Sequence, residues 1–236
     1  MTVKENIVMF QTAFFFSRDI QRPDKIFWNL ADNIPEFDVM PTLQPLPPGI
    51  TSNNYALLTF RSGNGVLQCQ VAQSRLDFKV LHDNDFGRFN FDVLFEIYTR
   101  ISKAIVDYTS EQVSVSIQRV GMVADYFSPS ADPIMKIQEI NGMKPEEGLE
   151  ELSIRKNKRH ALGNKISNFI TSMEAVELIR DNVAHSGVML SVDINNVPQQ
   201  DIILQKSDLL TYLDAGFEQL KEVSFKERIH GHVNQG

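Results

Sequence analysis

The sequence is poor in residues that carry reactive chemistry. Cys69 is the one cysteine among 236 residues, so the chain cannot form an internal disulfide. It shares the apolar parity of Leu67 and Val71, which predicts a buried, inert thiol. A lack of disulfides is typical of a reducing compartment, and we therefore expect a cytoplasmic protein.

Long apolar runs are also missing. No stretch approaches the roughly 20 residues that a helix needs to cross a bilayer, so we expect no membrane partner. Near the start, Ile7–Phe16 is apolar on both parities, but Gln11 interrupts it and no small-residue cleavage site follows. This pattern predicts an interior strand of a sheet rather than a signal peptide.

Signatures of catalysis and cofactor binding are absent from the sequence. It has no glycine-rich dinucleotide motif, no phosphate-binding loop, no nucleophile elbow, no zinc-protease motif and no Cys-x-x-Cys pair. We therefore predict no catalytic residue, no cofactor and no metal site. Two clusters have suitable donors at unsuitable spacing: Asp193, Asn195 and Asn196 for a cation, and Glu227, His230 and His232 for a metal in a frayed tail. A hydrolase with a scattered site is a further possibility, and it would need His82, Asp83 and Asp85 to converge with other groups in a pocket.

The balance of charge limits the partners. A net charge of −7 excludes a surface that is basic throughout, so nucleic acid could bind only at a local patch. The dense basic run consists of Arg155, Lys156, Lys158, Arg159 and His160, and it follows an acidic stretch. No aromatic residue is interleaved to stack on bases, which favours a solvated hairpin tip over a phosphate-binding loop.

Residues 113–127 change their apolar face halfway along the run. Apolar residues occupy odd positions up to Ile117 and even positions from Val120 onwards. A β-bulge would reverse the alternation and re-aim Arg119, whose fork of donors can bind a carboxylate or a phosphate. An arginine that is salt-bridged at a bend in the sheet is the structural alternative.

Turn and periodicity signals predict the other elements. A second change of parity near Gln73, within residues 66–80, predicts a bulge or a break in a long, bent strand. The remaining predictions are helices over residues 23–34, 90–108 and 207–220, a proline-rich crossing over 35–48, a hairpin turn at Asn64-Gly65, strands near 149–154, 165–171 and 188–194, and an ambiguous segment over 172–181.

Together these elements predict an α+β fold of two packed halves. Each half has a mostly antiparallel or mixed sheet with amphipathic helices on one face. The first half, residues 1–127, has the order β-α-β-β-α-β, and the second, residues 149–236, combines a sheet with a long helix. Residues 128–148, with a Ser-Pro-Ser turn and Asn141-Gly142, form the predicted junction.

Parts of the sequence resemble a sporadically distributed family of uncharacterised prokaryotic proteins. In that family an early hairpin and helix lead to a strand that reads Arg, apolar, Gly, apolar, Arg, Tyr. The first four positions match Arg119, Val120, Gly121 and Met122, whereas Val123 and Ala124 replace the last two. The family ends with an amphipathic helix that stops and then resumes in a segment containing phenylalanine. Leu213 and Phe217 resemble the helix, and residues 225–229 resemble the resumed segment. The resemblance implies an accessory bacterial gene and assigns no catalytic residues.

From these observations we expect a non-enzymatic binding or assembly component of a bacterial or phage complex, of the kind found in defence or conflict systems. Its partner would be another protein or a second copy of the chain. A nucleic-acid-binding or nuclease-associated subunit that uses a local basic loop is the alternative. The candidate binding residues are Arg119, Arg155, Lys156, Lys158 and Arg159.

Overall fold

The fold is built on one antiparallel β-sheet. The computed structural model describes residues 7–45, 54–81, 91–113, 115–146, 148–163, 165–180, 182–197 and 203–222. Within these ranges nine strands pair in the order β2-β3-β4-β5-β1-β6-β9-β8-β7, and each neighbouring pair is antiparallel. The strands are β1 (Ile7–Phe16), β2 (Val39–Leu43), β3 (Leu58–Arg61), β4 (Leu67–Val71), β5 (Arg75–Leu81), β6 (Ile117–Pro129), β7 (Ser153–Leu162), β8 (Lys165–Arg180) and β9 (Val183–Asn196).

The helices of the described ranges lie on one face of this sheet. They are α1 (Pro23–Phe27), α2 (Leu30–Asn33), α3 (Phe91–Gln112), α4 (Pro133–Ile140) and α5 (Lys206–Glu222). Tyr98 of α3 stacks on Phe10 of β1, with ring centroids 5.0 Å apart. Gly216 of α5 lies directly over Met122 of β6. Since successive strand residues point to opposite faces, the odd-numbered side chains of β1 from Met9 to Phe15 and of most of β6 point away from the helices.

The core fills the space between the sheet and these helices. It is rich in aromatic rings that are fully or almost fully buried, among them Phe10, Phe78, Tyr98 and Phe217. Tyr98 contacts both Phe10 and Phe217, the latter at a centroid distance of 5.2 Å. The long helices α3 and α5 are therefore joined to each other and to β1 through one aromatic cluster.

The single sheet replaces the two predicted halves. β1 and β6 pair along almost their whole length, from Ile7 opposite Tyr126 to Phe16 opposite Ile117. The prediction of two packed halves, each with its own sheet, is therefore wrong, although the α+β class is correct. The sequence misled because alternation reports which faces of a strand are buried and not which strand lies beside it.

The order of elements nevertheless repeats within the one sheet. On one side of the central β1/β6 pair the strands run β3-β4-β5-β1, and on the other side β7-β8-β9-β6 mirrors them. A long helix follows each set along the chain, α3 after β5 and α5 after β9. Each part of the chain thus supplies one of the two central strands and the strands beside it.

Several local predictions are confirmed. Gly65 has φ of +75° in the turn between β3 and β4, as the Asn-Gly pair indicated. The periodic segments form α3 and α5. The bulge beside Arg119 is present in β6: Phe15 lies opposite Arg119 and Phe16 opposite Ile117, so Gln118 is the extra residue. The bulge sets the face to which Arg119 points.

Other local predictions need correction. Residues 66–80 are not one bent strand, because the break near Gln73 is a tight hairpin that folds β5 back on β4. The ambiguous segment after Thr171 continues strand β8 up to Arg180. The basic run, expected as a loop, is the edge strand β7, paired with β8 from Ser153 to Leu162.

Candidate functional site

The face of the sheet opposite the helices, which we call the open face, has no helix on it within the described ranges. Strand register arranges its side chains in rows that cross the sheet. The central row consists of Thr59, Gln70, Asp77, Ala13, Gly121, Asn195, Asn168 and Arg159. One neighbouring row consists of Arg61, Gln68, Lys79, Gln11, Val123, Asp193, Ile170 and Asn157, and the other contains Arg75, Phe15 and Arg119. The open face is therefore largely polar.

An arginine and an aromatic ring pair near the middle of this face. The guanidinium carbon of Arg119 is 4.8 Å from the ring centroid of Phe15, its cross-strand neighbour. Arg75 approaches the same ring from the other side, at 5.9 Å. Such distances are typical of cation–π contacts. Among the described residues, the buried Nε of Arg119 has no hydrogen-bond partner.

A relay of polar side chains approaches the centre from the β7 edge. Arg159 donates from Nε to Asn168 Oδ1 at 3.2 Å, and Asn168 donates from Nδ2 to Asn195 Oδ1 at 3.1 Å. Asn195 in turn donates from Nδ2 to Asp193 Oδ1 at 2.9 Å. The relay fixes the orientation of two amides and one guanidinium on the open face.

A second polar group approaches from β5. Asp77 is buried, and burial raises the pKa of its carboxyl group. Arg75, with Nε 2.8 Å from one carboxylate oxygen, and Gln11, which donates to the other oxygen at 2.9 Å, work in the opposite direction and favour the ionised form. Asp77 therefore neutralises Arg75, whereas Arg119 lacks a carboxylate partner within the described ranges.

Small residues form the floor between the two polar groups. Ala13 and Gly121 are paired across β1 and β6. A Cβ added at Gly121 would meet Asn195 Cβ at 3.7 Å and Asp193 Oδ1 at 4.0 Å, which are ordinary contact distances. Ala13 and Gly121 are both buried, so the surrounding side chains already cover the backbone between Phe15, Arg119 and Asn195.

The charges of the protein are divided between its two sides. The open face carries six cationic side chains, Arg61, Arg75, Lys79, Arg119, Arg155 and Arg159, against four carboxylates, Asp77, Asp125, Glu174 and Asp193. Helices α3 and α5 carry eight carboxylates against four cations. Helices α3 and α5 therefore carry a net negative charge, whereas the open face has a small excess of cations, which favours an anion on the open face.

A groove between α3 and α5 is a second concave surface, with a volume of about 520 Å³. Phe95 and Phe217 line it together with four carboxylates and two lysines. Lys103 is ion-paired with Asp214 across the groove at 2.5 Å. The excess of carboxylates would repel a phosphate, so the open face is the better anion-binding surface.

The structure divides the five candidate binding residues between two faces. Arg119, Arg155 and Arg159 point to the open face. Lys156 and Lys158 point to the helix side, where Lys156 Nζ donates to Asn141 Oδ1 at 2.7 Å. The basic run is not one patch because a strand presents alternate residues to opposite faces.

Sequence reasoning missed part of this site. Phe15 resembled a core residue because both parities of β1 are apolar, and its half-buried ring on the open face was not foreseen. Asn195, considered for a cation, instead bonds Asp193 and Asn168. Asn196 accepts from the backbone N–H of Val120 and serves the bulge.

Other sequence predictions have separate outcomes. Cys69 is buried, as predicted, and burial raises the pKa of its thiol well above the ordinary value. In the part of the chain that the structure describes, no three His, Cys, Asp or Glu side chains form a cluster that could hold a metal ion. No described helix combines the length and apolarity needed to span a membrane.

Three sequence predictions lie outside the described residues. They concern the hydrolase cluster at 82–85, the Pro-rich segment after residue 45 and the tail from 223.

The likeness of this chain to known proteins is distant. No protein-family model matches the sequence, and no curated protein matches it. Among solved structures it is similar to a rolling circle replication initiator protein from Geobacillus stearothermophilus, with 11% sequence identity, a TM-score of 0.26 and coverage of 89% of this chain and 78% of that chain. At this TM-score the likeness carries no inference about fold or role.

Proposed function

We propose that the open face binds single-stranded nucleic acid. The observation that supports this most directly is the Phe15–Arg119 pair, with the guanidinium 4.8 Å from the ring and its Nε unpaired among the described residues. Every nucleobase has a π-face, so an aromatic ring with an adjacent arginine can stack on bases without reading their sequence. Duplex bases are already stacked on each other, which favours a single strand.

The surroundings of this pair supply the other contacts that a single strand needs. Arg155 and Arg159 at one edge and Lys79 and Arg61 towards the other are placed to neutralise phosphates. The half-buried amides of Gln68, Gln70 and Asn168 in these rows are placed to offer donors and acceptors to base edges, whereas Asn195 is buried. The acidic helix side would repel the backbone, so the charge division orients the ligand towards the open face. The assembly role expected from the sequence stays a prediction, and it is compatible with this one.

Binding is tested by fluorescence anisotropy with labelled DNA and RNA oligonucleotides over a range of salt concentrations. Wild-type affinity should fall as salt rises, since each phosphate contact releases condensed counterions. Phe15→Leu should weaken binding roughly 5- to 150-fold, the equivalent of about 1–3 kcal/mol per stacked base, with an unchanged salt slope. Failure to bind any oligonucleotide at low salt would refute the proposal.

The edge strand β7 provides a matched control within one element. The double variant Arg155→Gln/Arg159→Gln removes two cations from the open face, and the slope of log affinity against log salt should fall by about 0.7 per lost phosphate contact. Lys156→Gln/Lys158→Gln removes the same charge from the opposite face and should have a much smaller effect. Equal losses in the two variants would place the ligand on the strand edge instead of the open face.

A further inference from the structure

The β8–β9 hairpin extends beyond the rest of the sheet. β7 pairs with β8 only as far as Ser153 opposite Glu174, and β6 pairs with β9 only as far as Pro129 opposite Gly187. Beyond these points, residues 177–180 and 183–186 pair with each other as a two-stranded ribbon, which we call the arm. Among the described residues no strand pairs with the outer edge of either arm strand, and only the Ser130 N–H reaches the β9 edge, at Ser186.

The arm exposes apolar side chains that a solvated ribbon does not need. Ile179 is 73% exposed and Val183 is 54% exposed. Leu178, which precedes Ile179, is half-buried, and residues 182–186 are all exposed. An isolated two-stranded ribbon is marginally stable in water, so a partner that covers these residues would stabilise it.

The edge of β7 and the edge of the arm differ in how well they are protected against pairing with a strand of another molecule. β7 carries Arg155, Lys156, Lys158 and Arg159, and a free edge with so many like charges repels its own copy. The arm sequence has no lysine and no proline, and its charged residues are of both signs. A row of like charges therefore protects the edge of β7 against pairing with its own copy, and the arm has no such row.

We propose that two copies of the chain pair through the outer edges of their β8 arm segments. The free edge of a strand is complementary to its own copy when the two run antiparallel, and the pair then has two-fold symmetry. The β8 edge is favoured over the β9 edge because the Ser186 carbonyl of β9 already accepts a hydrogen bond from the Ser130 N–H at 3.0 Å. Pairing at β8 would cover Ile179, the more exposed of the two apolar residues.

This arrangement has a geometric consequence for the open face. Antiparallel strands of one sheet that are related by two-fold symmetry have the axis normal to the sheet, so the open faces of both copies would lie on the same side. The two sheets would join into one continuous surface. Dimerisation through the arm does not depend on the nucleic-acid proposal, and it can be tested without any oligonucleotide.

The mass of the full chain in solution tests this proposal, measured by sedimentation over a wide concentration range. Wild type should be a dimer and Ile179→Lys a monomer, because the lysines would oppose each other at the symmetric contact. Ile166→Lys is the matched control, since Ile166 is a 55% exposed isoleucine of the same strand, outside the arm and opposite Ala161 of β7. A monomeric wild type, a dimeric Ile179→Lys, or an Ile166→Lys that dissociates equally would overturn the proposal.

Cross-linking gives a second measurement that does not require dissociation. Cys69 is fully buried, so the native protein offers no accessible thiol among the residues described. Ile179→Cys should form a covalent dimer with a short bis-maleimide, and Ile166→Cys should not. Circular dichroism of each variant checks that the sheet is intact. Absence of cross-linking in a folded Ile179→Cys would count against the arm contact.

Discussion

Two carboxyl groups of the open face, Asp77 and Asp125, are held where water is scarce. Burial raises the pKa of both, and the hydroxyl of Ser191, which donates to Asp125 at 2.6 Å, offsets part of the effect on Asp125. Because the pKa of each carboxyl group is raised, the folded protein holds the carboxyl proton more tightly than the unfolded chain does. The free energy of unfolding therefore falls as the pH rises from below the ordinary Asp pKa of about 3.9 through the raised value.

The change Asp125→Asn should make the protein more stable at neutral pH. The asparagine amide keeps an oxygen that accepts the hydrogen bond from the Ser191 hydroxyl, and it places no charge at this buried position. The gain should shrink as the pH falls towards the ordinary Asp pKa of about 3.9, because Asp125 then becomes protonated in the wild type. Urea unfolding at a series of pH values measures both effects. Ser191→Ala is the comparison and should be less stable than wild type at neutral pH, whereas a destabilised Asp125→Asn would contradict the reasoning.

Arg119 shows what a sequence can predict about a single residue. The change of apolar parity placed a bulge beside Arg119, because alternation is a local property of the chain, and the strand register identifies Gln118 as the extra residue. The contact with Phe15 could not be predicted, since it depends on which strand pairs with β6 and in which register. The same limit applies to Asn168 and Asn195, whose hydrogen bond joins β8 to β9.

At the scale of elements, helix α3 is fastened to β1 by a buried hydroxyl. Tyr98 donates to the backbone carbonyl of Gln11 at 2.9 Å and accepts from Thr12 Oγ1 at 2.8 Å, and burial raises the pKa of the Tyr98 phenol. The hydroxyl oxygens of Ser102 and Thr12 are 3.0 Å apart and share a second hydrogen bond. Gln11 thus holds the helix through its carbonyl and Asp77 of the open face through its side-chain amide.

Replacing Tyr98 by Phe should lower the free energy of unfolding by about 1–3 kcal/mol, because a buried carbonyl loses its donor. Tyr108→Phe is the control: its hydroxyl makes one described bond, to the carbonyl of Ile26 at 2.9 Å. Its effect should be smaller, at about 0.5–1.5 kcal/mol. Chemical denaturation of both variants provides the comparison, and an equal or smaller loss for Tyr98→Phe would show that the network adds nothing to the packing of the ring.

Whether an element could be predicted from the sequence depends on how much of its surface is buried. α3 and α5 were predictable because each has one buried and one exposed stripe. β7 was mistaken for a loop because residues 155–161 are exposed, so its sequence has no apolar alternation to reveal a strand. An edge strand that is exposed along most of its length carries little of the hydrophobic signal on which such predictions depend.

At the scale of the whole molecule, the sheet is the unit that the sequence did not reveal. The similar order of elements in the two parts of the chain suggested separate halves, and each part does contribute one flank of the sheet. The pairing of β1 with β6 joins the flanks, and β6 also pairs with β9 from Gly121 to Pro129. β6 therefore belongs to both flanks through its two neighbours.

This continuity predicts that the protein unfolds in one cooperative step. A fragment of residues 1–127 would leave β6 without β9, and one of residues 149–236 would leave β9 without β6, so neither should fold alone. Trp28, the one tryptophan, reports on the first flank by fluorescence. The variant Trp28→Phe/Phe169→Trp moves the probe to β8 in the second flank. In urea the two fluorescence transitions and the circular dichroism transition should coincide, because loss of either flank exposes the core-facing side of the central strands. Separated midpoints would mean that the β1/β6 contact is too weak to couple the flanks.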